Sequence, residues 1–393
     1  MGSFSEITFD EYPIFTRKNG YYPEICRLIF LSLDYVSETR PYSSRNKLSW
    51  GDAYENVPGN YEFKGFRQTA KRCKQRLEIY GHSMEKARKD FYRAKRVFRE
   101  EADYDYEQYE IISKATFKQY VDTIREILIS KENKHSETPL TLKEILINDD
   151  LLFHGQSISH NLFIILSILP DESIIEYDLS DVIGYFDENE LYQDVIEKII
   201  ILTEGRTDVE FLSKSIEKLY PHISPYYHFI NFDEYNVESS ASALVKFVTS
   251  LVASNIQHPI IAIFDNDTTG IMEMNKLNSI NLPQNFRVLK YPNLKLAKKY
   301  PTVGPTGYKK MNVNGYACSI EMYFGEDVLT TDSELNPVVW KGYNDKEKKY
   351  QGEILDKINV QKKFREKLKS NNGDFKDMDL ILREIFSAFK KIR

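Results

Sequence analysis
Cysteine, proline and glycine are scarce in this chain of 393 residues, at three, 14 and 17. Cys26, Cys73 and Cys318 are odd in number and far apart. That excludes a disulfide framework and a paired-cysteine zinc site, and fits a reducing cytosol. Few glycines and prolines beside 27 tyrosines and 23 phenylalanines exclude a disordered or low-complexity chain. No apolar run approaches the roughly 18 residues of a membrane span. No basic-then-apolar leader opens the sequence, and Glu6 stands where a myristoylation signal needs Ser or Thr. A cytoplasmic protein with no membrane is expected. Basic excess is lacking too. A net charge of −6 does not advertise nucleic-acid binding, although local basic patches can coexist with it. There is no internal repeat and no GxxxxGK[ST] phosphate loop. The histidines show no metal-ligand spacing, and His258, just before an apolar run, reads as structural.

The length exceeds one compact core, and what is present divides near residue 195. The first part opens on SEITFDEYPIF, a strand-like stretch of β-branched and aromatic residues. Helical patterns follow, from the spacing near Phe66 through RCKQRLEIYG. Ser83 to Lys114 reads as one long, exposed, mixed-charge helix whose first half, Lys86 to Arg99, is basic enough to touch a phosphate backbone. Lys131 to Pro139 reads as a loop. Leu162 to Leu169 is a buried helix or strand that periodicity does not assign. Beyond Glu197, KIIILTEG, YYHFINFDE, PIIAIFDND and FRVLKYP read as strands with amphipathic helices between them. Such alternation predicts βα units on a parallel sheet, with functional groups beyond the carboxyl ends of the strands. After Leu294, KLAKKYPTVGPTGYKKMNVNG reads as a long loop and CSIEMYF as the start of a short helix.

Acids end those apolar runs. Glu204 closes the first strand, Gly205 permits a tight turn, and Asp208 opens the next helix. Four-residue spacing puts both carboxylates on one side of the junction. Asp265 and Asp267 flank Asn266, and alternate residues of an extended chain point the same way. Ser319 and Glu321 add a hydroxyl and another acid. Packed carboxylates repel unless a cation neutralises them. An all-oxygen set without His or Cys suits one or two Mg²⁺ or Mn²⁺ ions rather than zinc. Such ions activate water and stabilise the leaving oxygen in phosphodiester cleavage. Singly, Asp208 also reads as a favourable charge at a helix N-terminus and Glu321 as a surface acid. Their shared place at one sheet edge points to a site.

The segment from Glu197 to Phe324 resembles a Toprim domain, the catalytic module of topoisomerases, primases and OLD-family nucleases. The resemblance rests on Glu204-Gly205 with Asp208, on Asp265-x-Asp267, and on Ser319-x-Glu321, which is similar to the Ser-x-Glu element of OLD-type nucleases. It implies that these acids bind Mg²⁺ or Mn²⁺ and that Glu204 serves in acid–base catalysis. No topoisomerase nucleophile domain or primase zinc module is evident, which favours a nuclease that stands alone. MGSFSEITFDEYPIF and RLEIYGHSMEKARKDF resemble the N-terminal region of bacterial HEPN/Toprim-associated proteins, a pairing that implies anti-phage defence. HEPN ribonucleases use an Arg followed by a His; Arg76 and His82 have that spacing. The alternative is a helix end capped by Gly81.

Lysines complete the reading. Lys290 ends FRVLKYP, and Lys357 follows Glu321 in an order similar to the OLD-type catalytic lysine. Either would steady a scissile phosphate. Lys295, Lys298, Lys299, Lys309 and Lys310, interleaved with Tyr291, Tyr300 and Tyr308, suit a nucleic-acid groove, or a plain solvated loop. The expectation is a mainly α-helical HEPN/Toprim-associated domain over residues 1–195, an α/β Toprim domain with a Rossmann-like parallel sheet over 196–330, and a helical extension over 331–393. The function expected is metal-dependent cleavage of nucleic acid, DNA favoured. An RNA- or tRNA-cleaving effector and a non-catalytic binding subunit are the alternatives. Implied partners are nucleic acid, an ATPase or other defence-system subunit, and a second copy of the chain.

Overall fold
The computed structural model describes residues 3–50, 53–101, 106–132, 135–152, 155–186, 198–235, 238–370 and 373–390. The chain forms two compact units, residues 1–196 and 197–393. The expected boundary at 195–196 lies outside the described residues.

The first unit holds more of its described residues in helices than in strands, and beside them it has a five-stranded sheet that the expectation of a mainly helical domain did not include. Its strands are β1 (Phe4–Phe9), β2 (Tyr12–Lys18), β3 (Tyr35–Pro41), β4 (Asn60–Thr69) and β5 (Ile174–Asp178). They lie in the order β2-β1-β5-β4-β3, antiparallel throughout. The spacing near Phe66 is that of a strand: along β4, Tyr61 and Phe63 are buried while Asn60 and Glu62 face water. The helix begins only at Ala70, where the Thr69 hydroxyl accepts the Arg72 N–H at 3.4 Å. The helices are α1 (Pro23–Ile29), α2 (Lys47–Trp50), α3 (Ala70–Ile79), α4 (Met84–Glu101), α5 (Tyr106–Lys114), α6 (Phe117–Ser130), α7 (Leu142–Asn148) and α8 (Ile158–Ile168). The single helix expected from Ser83 to Lys114 is therefore a pair, α4 and α5. Lys95 of α4 ties them by donating to the carbonyls of Ser113 and Ala115, both at 2.7 Å. Nor is α4 only a solvated helix, since Ala87, Phe91 and Ala94 lie in the core. The unassigned run around Leu162 is α8, buried from Asn161 to Leu166.

Arg76 belongs to that core. It is wholly buried, paired with the Asp34 carboxylate, and donates to the Ile29 carbonyl at 2.7 Å. Asp34 also accepts the Leu31 N–H at 2.8 Å and Gln68 Nε2 at 2.7 Å. Gly81 takes the left-handed φ of +82° that ends α3. An Arg locked in a core ion pair corrects the ribonuclease reading of Arg76 and His82, and the capped helix end is what stands there.

In the second unit β6 (Ile199–Leu202), β7 (Tyr227–Phe229), β8 (Ile260–Phe264) with its continuation β9 (Asn266–Asp267), and β10 (Phe286–Lys290) follow one another. The parallel sheet has the order β10-β8-β6-β7. Helices α9 (Arg206–Leu219), α10 (Ala241–Ala253) and α11 (Thr268–Asn275) connect its strands. Every residue of β8 is buried, as in a sheet covered on both faces. The expected long loop is instead a 3₁₀ turn and a hairpin, β11 (Tyr300–Gly304) and β12 (Gly307–Met311), with Gly307 at φ +85° beside the turn. After β13 (Ala317–Cys318) come α12 (Glu326–Leu329), the short pair β14 (Thr330–Thr331) and β15 (Glu334–Leu335), β16 (Val338–Asn344), β17 (Lys349–Ile354), α13 (Lys357–Lys369) and α14 (Lys376–Phe386). Residues 331–393 are thus not purely helical: β16 and β17 extend the hairpin into a sheet of order β12-β11-β16-β17. No helix among the described residues is long and apolar enough to cross a membrane.

Removing one partner of a buried ion pair strands the other charge. Arg76→Met is expected to lower unfolding stability by about 3–5 kcal/mol. Arg76→Met combined with Asp34→Asn is expected to recover much of that loss. Urea unfolding of the two single variants and the double variant gives the coupling energy; purely additive losses would count against the pair.

Candidate functional site: an acidic cluster at the sheet edge
Two adjacent strand ends are stitched together by an acid. Glu204 lies just past β6, and its Oε1 accepts the backbone N–H of Asp265, just past β8, at 2.8 Å. Gly205 does not make the tight turn expected of it. It is the extended N-cap of α9, at φ −155°. Asp208 is in the first turn of that helix, buried, and takes the Tyr291 hydroxyl on Oδ1 at 2.6 Å. Asp267 caps α11: Oδ1 accepts the Gly270 N–H at 2.7 Å, and Oδ2 accepts Gln351 Nε2 at 2.6 Å.

The third acidic element arrives by a short antiparallel pairing. Ala317 and Cys318 of β13 pair with Asp267 and Asn266 of β9. Ser319 then caps a 3₁₀ turn that carries Glu321, whose side chain is fully buried. Glu321 is heavily provided for. Ser319 Oγ donates to it at 2.6 Å, Gln361 Nε2 at 2.7 Å, and Lys357 Nζ stands 3.1 Å away.

Asp265 is the exception. Its Oδ1 is shut off from solvent and meets no hydrogen-bond donor among the described residues. An unsatisfied buried carboxylate oxygen is costly, so its neighbours matter. Burial, then the charges of Asp208, Glu204, Asp267 and Glu321, push the Asp265 carboxyl well above its ordinary range. Burial raises Glu204 to about 8. The Asp265 N–H opposes that shift, while Asp267, Asp208 and Glu273 add to it. Asp208 is raised to about 6 by burial and Glu321, against the Tyr291 hydrogen bond and Lys357. Burial also raises Asp267, against its bonds from Gly270 and Gln351. Lys357 is raised. Burial opposes its charge, but Glu321, Asp265 and Asp208 outweigh that. An all-oxygen cluster of mutually repelling carboxylates, with an orphaned oxygen at its middle, fits a hard divalent cation. As the side chains stand, no three acidic, His or Cys residues among those described converge to hold one ion. Loading would require Asp267 or Glu321 to exchange a protein donor for the cation.

Of the remaining expected residues, Lys290 ends β10 and donates to Asn266 Oδ1 at 3.1 Å, while burial lowers its pKa. It reaches the cluster through Asn266. Lys295, Lys298 and Lys299 are exposed in and beside a 3₁₀ turn. Lys309 and Lys310 sit on the edge strand β12 and, by strand alternation, point to opposite faces. They do not share one patch. Lysines on an edge strand also discourage edge-to-edge pairing. Tyr291 and Tyr300 are buried, so only Tyr308, 74% exposed, can offer a ring to a base. Burial corrects the stacking role expected of the other two.

Sequence reasoning missed the groups that hold the acids in place. Tyr291 follows the last residue of β10, at the same strand edge as Lys290. Gln361 lies one helical turn beyond Lys357, a spacing visible in sequence once α13 is known. Gly270 is required for a steric reason. A Cβ there would lie 2.6 Å from the Asp265 carbonyl oxygen and 2.7 Å from Glu204 Oε1. Gly205 has room, its nearest neighbour being Asp208 Oδ2 at 3.5 Å.

Among known families, the model described as HEPN/Toprim N-terminal domain 1 matches residues 1–199. Neither a curated protein nor a solved structure matches the chain.

The glycine contrast is measurable. Ala normally stabilises a helix relative to Gly by about 1 kcal/mol. At Gly270 overpacking reverses the sign, and Gly270→Ala is expected to cost about 1–3 kcal/mol. Gly205→Ala should stay within about 1 kcal/mol of the parent. Equal melting temperatures for the two variants would refute the contrast. A pH dependence follows from Glu204 and Asp208. Their folded pKa values lie above the usual 4.5 and 3.8, at about 8 and about 6. Groups so raised contribute stability below the unfolded pKa and lose it as pH rises through the folded one. In EDTA the melting temperature is therefore expected to fall between about pH 5 and pH 8, more steeply in the parent than in Glu204→Gln.

Proposed function
The chain belongs to the HEPN/Toprim N-terminal domain 1 family, and from that membership we propose that its C-terminal unit is a Toprim-type nuclease dependent on Mg²⁺ or Mn²⁺. One observation carries the reading: the Oδ1 of Asp265, without a donor among the described residues, lies among carboxylates raised by burial and mutual repulsion at the carboxyl edge of a parallel sheet. Asp265, Asp267 and Glu204 would hold the principal ion. Asp208 and Glu321 would hold a second ion or its waters. Bound there, the cation supplies an activated water and charge neutralisation at the leaving oxygen.

The chain's own groups do the rest. Lys357, kept cationic by Glu321, Asp265 and Asp208, offers its ammonium to a phosphate oxygen. Ser319 and Gln361 fix the Glu321 carboxylate, and Tyr291 fixes Asp208. Glu204, which burial and the neighbouring acids hold at about 8 in the metal-free chain, would give up its proton on taking the cation. The N-terminal unit recognises or regulates. The whole acts as the effector of an anti-phage defence system, alone or with an ATPase or similar subunit. DNA is the substrate favoured over RNA.

Plasmid, single-stranded DNA and tRNA incubated with the full chain in Mg²⁺, Mn²⁺ or EDTA test this. Cleavage is expected with either metal and not in EDTA. Asp265→Asn and Asp267→Asn are each expected to reduce the rate by about 10²-fold or more. Mn²⁺ at pH 8 should raise the melting temperature of the parent but not of Asp265→Asn, a readout independent of turnover. Intact substrates throughout, with no Mn²⁺ shift, would sink the nuclease reading. tRNA cut in preference to DNA would move the proposal to the RNA alternative.

A further inference from the structure
Helix α4 carries a charged surface that the acidic cluster does not use. Lys86, Arg88, Lys89, Tyr92, Arg93 and Arg96 line a groove of about 840 Å³. Among the described residues its only acidic lining residue is Asp90, and that charge is already spoken for. Asp90 accepts Arg93 Nη2 at 2.6 Å and the Ser157 N–H at 2.9 Å, and faces His160 Nδ1 at 3.7 Å. Lys89 pairs with Glu85 at 3.3 Å, but both side chains are more than half exposed. A solvent-exposed pair of that kind opens at little cost. The groove therefore keeps an excess of positive charge.

Its shape narrows the choice of ligand. From Lys86 to Arg96 the helix advances about 15 Å at 1.5 Å per residue. That length spans several phosphates of a nucleic-acid strand. Arg88, Tyr92 and Arg96 are successive i, i+4 neighbours on one helical face. The Tyr92 ring is 46% exposed, with the buried Phe91 ring edge-on at 5.1 Å. Guanidinium forks suit phosphate oxygens, and an exposed ring between them suits a base. A lipid surface fits poorly, because the apolar residues of α4, Ala87, Phe91 and Ala94, are committed to the core.

We propose that this groove binds the phosphodiester backbone of a single nucleic-acid strand, with Arg88, Lys89 and Arg96 on the phosphates and Tyr92 stacked on a base. The proposed contacts all come from α4, with His160 of α8 also lining the groove, and do not depend on the metal-dependent reading of the second unit. Fluorescence anisotropy in EDTA tests it, using the full chain with labelled single-stranded DNA, single-stranded RNA and duplex DNA across a range of salt. In EDTA a failure of the nuclease reading leaves this measurement untouched. The parent should bind a single strand, DNA or RNA, more tightly than duplex. Arg88→Gln, Lys89→Gln and Arg96→Gln together are expected to weaken that binding at least tenfold at low salt. They should also flatten the slope of log K against log salt by about two, three contacts at roughly 0.7 each. Tyr92→Ala should weaken single-strand binding and spare duplex binding. Unchanged melting temperatures in these surface variants exclude unfolding as the cause. Binding with parental affinity and slope in the triple variant, or no binding by the parent, would overturn the proposal.

Discussion
The acidic cluster of the second unit hangs on one hydrogen bond, from the Asp265 amide to Glu204 Oε1 at 2.8 Å. It joins the ends of neighbouring parallel strands, where main-chain donors no longer have a strand partner. Because the acceptor is a carboxylate, the bond brings an acid into a buried place. Because the donor belongs to Asp265, a second acid comes with it. Gly270 then has to lack a side chain so that α11 can start against this bond. Asp267 caps the same helix, and its neighbour Asn266 pairs with Cys318 on β13, which delivers Ser319 and Glu321. Each contact is ordinary. Their sequence around one peptide N–H is what gathers the acids.

Buried acids cost stability unless each finds compensation, and the compensation here is uneven. Glu321 has a lysine, a glutamine and a serine. Asp208 has a tyrosine, and Asp267 a helix N-terminus and a glutamine. Asp265 Oδ1 has no donor among the described residues. A fold selected only for stability would replace such a group, since an apolar residue of similar shape removes the penalty. It is this one uncompensated oxygen that the proposed cation site rests on.

The parts of this arrangement that read from sequence are local. The apolar run of β8 ended by Asp-Asn-Asp, and the Glu-Gly ahead of α9, carry their own periodicity and punctuation. The parts that did not read depend on contacts between distant segments. The β9–β13 pair is two residues long on each side, too short for a pattern. β5 joins the middle of the first sheet from residues 174–178, more than a hundred positions after β4. Arg76 looked like a catalytic group because spacing cannot reveal that Asp34 lies beside it in the core. The lysines of β12 looked like one patch because a loop was assumed, and a strand turns successive side chains to opposite faces.

Bulk charge says little about the surface for a related reason. A net charge of −6 argues against affinity for a polyanion only if the acids face the solvent. Here Asp208, Asp267 and Glu321 are buried, and the first two are raised in pKa. They add little to the field outside the protein at distances beyond a Debye length of about 10 Å. The exposed surface is distributed differently, with Lys295, Lys298 and Lys299 open to water and five cations beside Asp90 among the described residues that line the α4 groove. A protein that buries carboxylates and displays basic side chains can carry a negative total and still present positive patches to solvent. The sign of the total then reports what the interior holds, and the surface has to be read residue by residue.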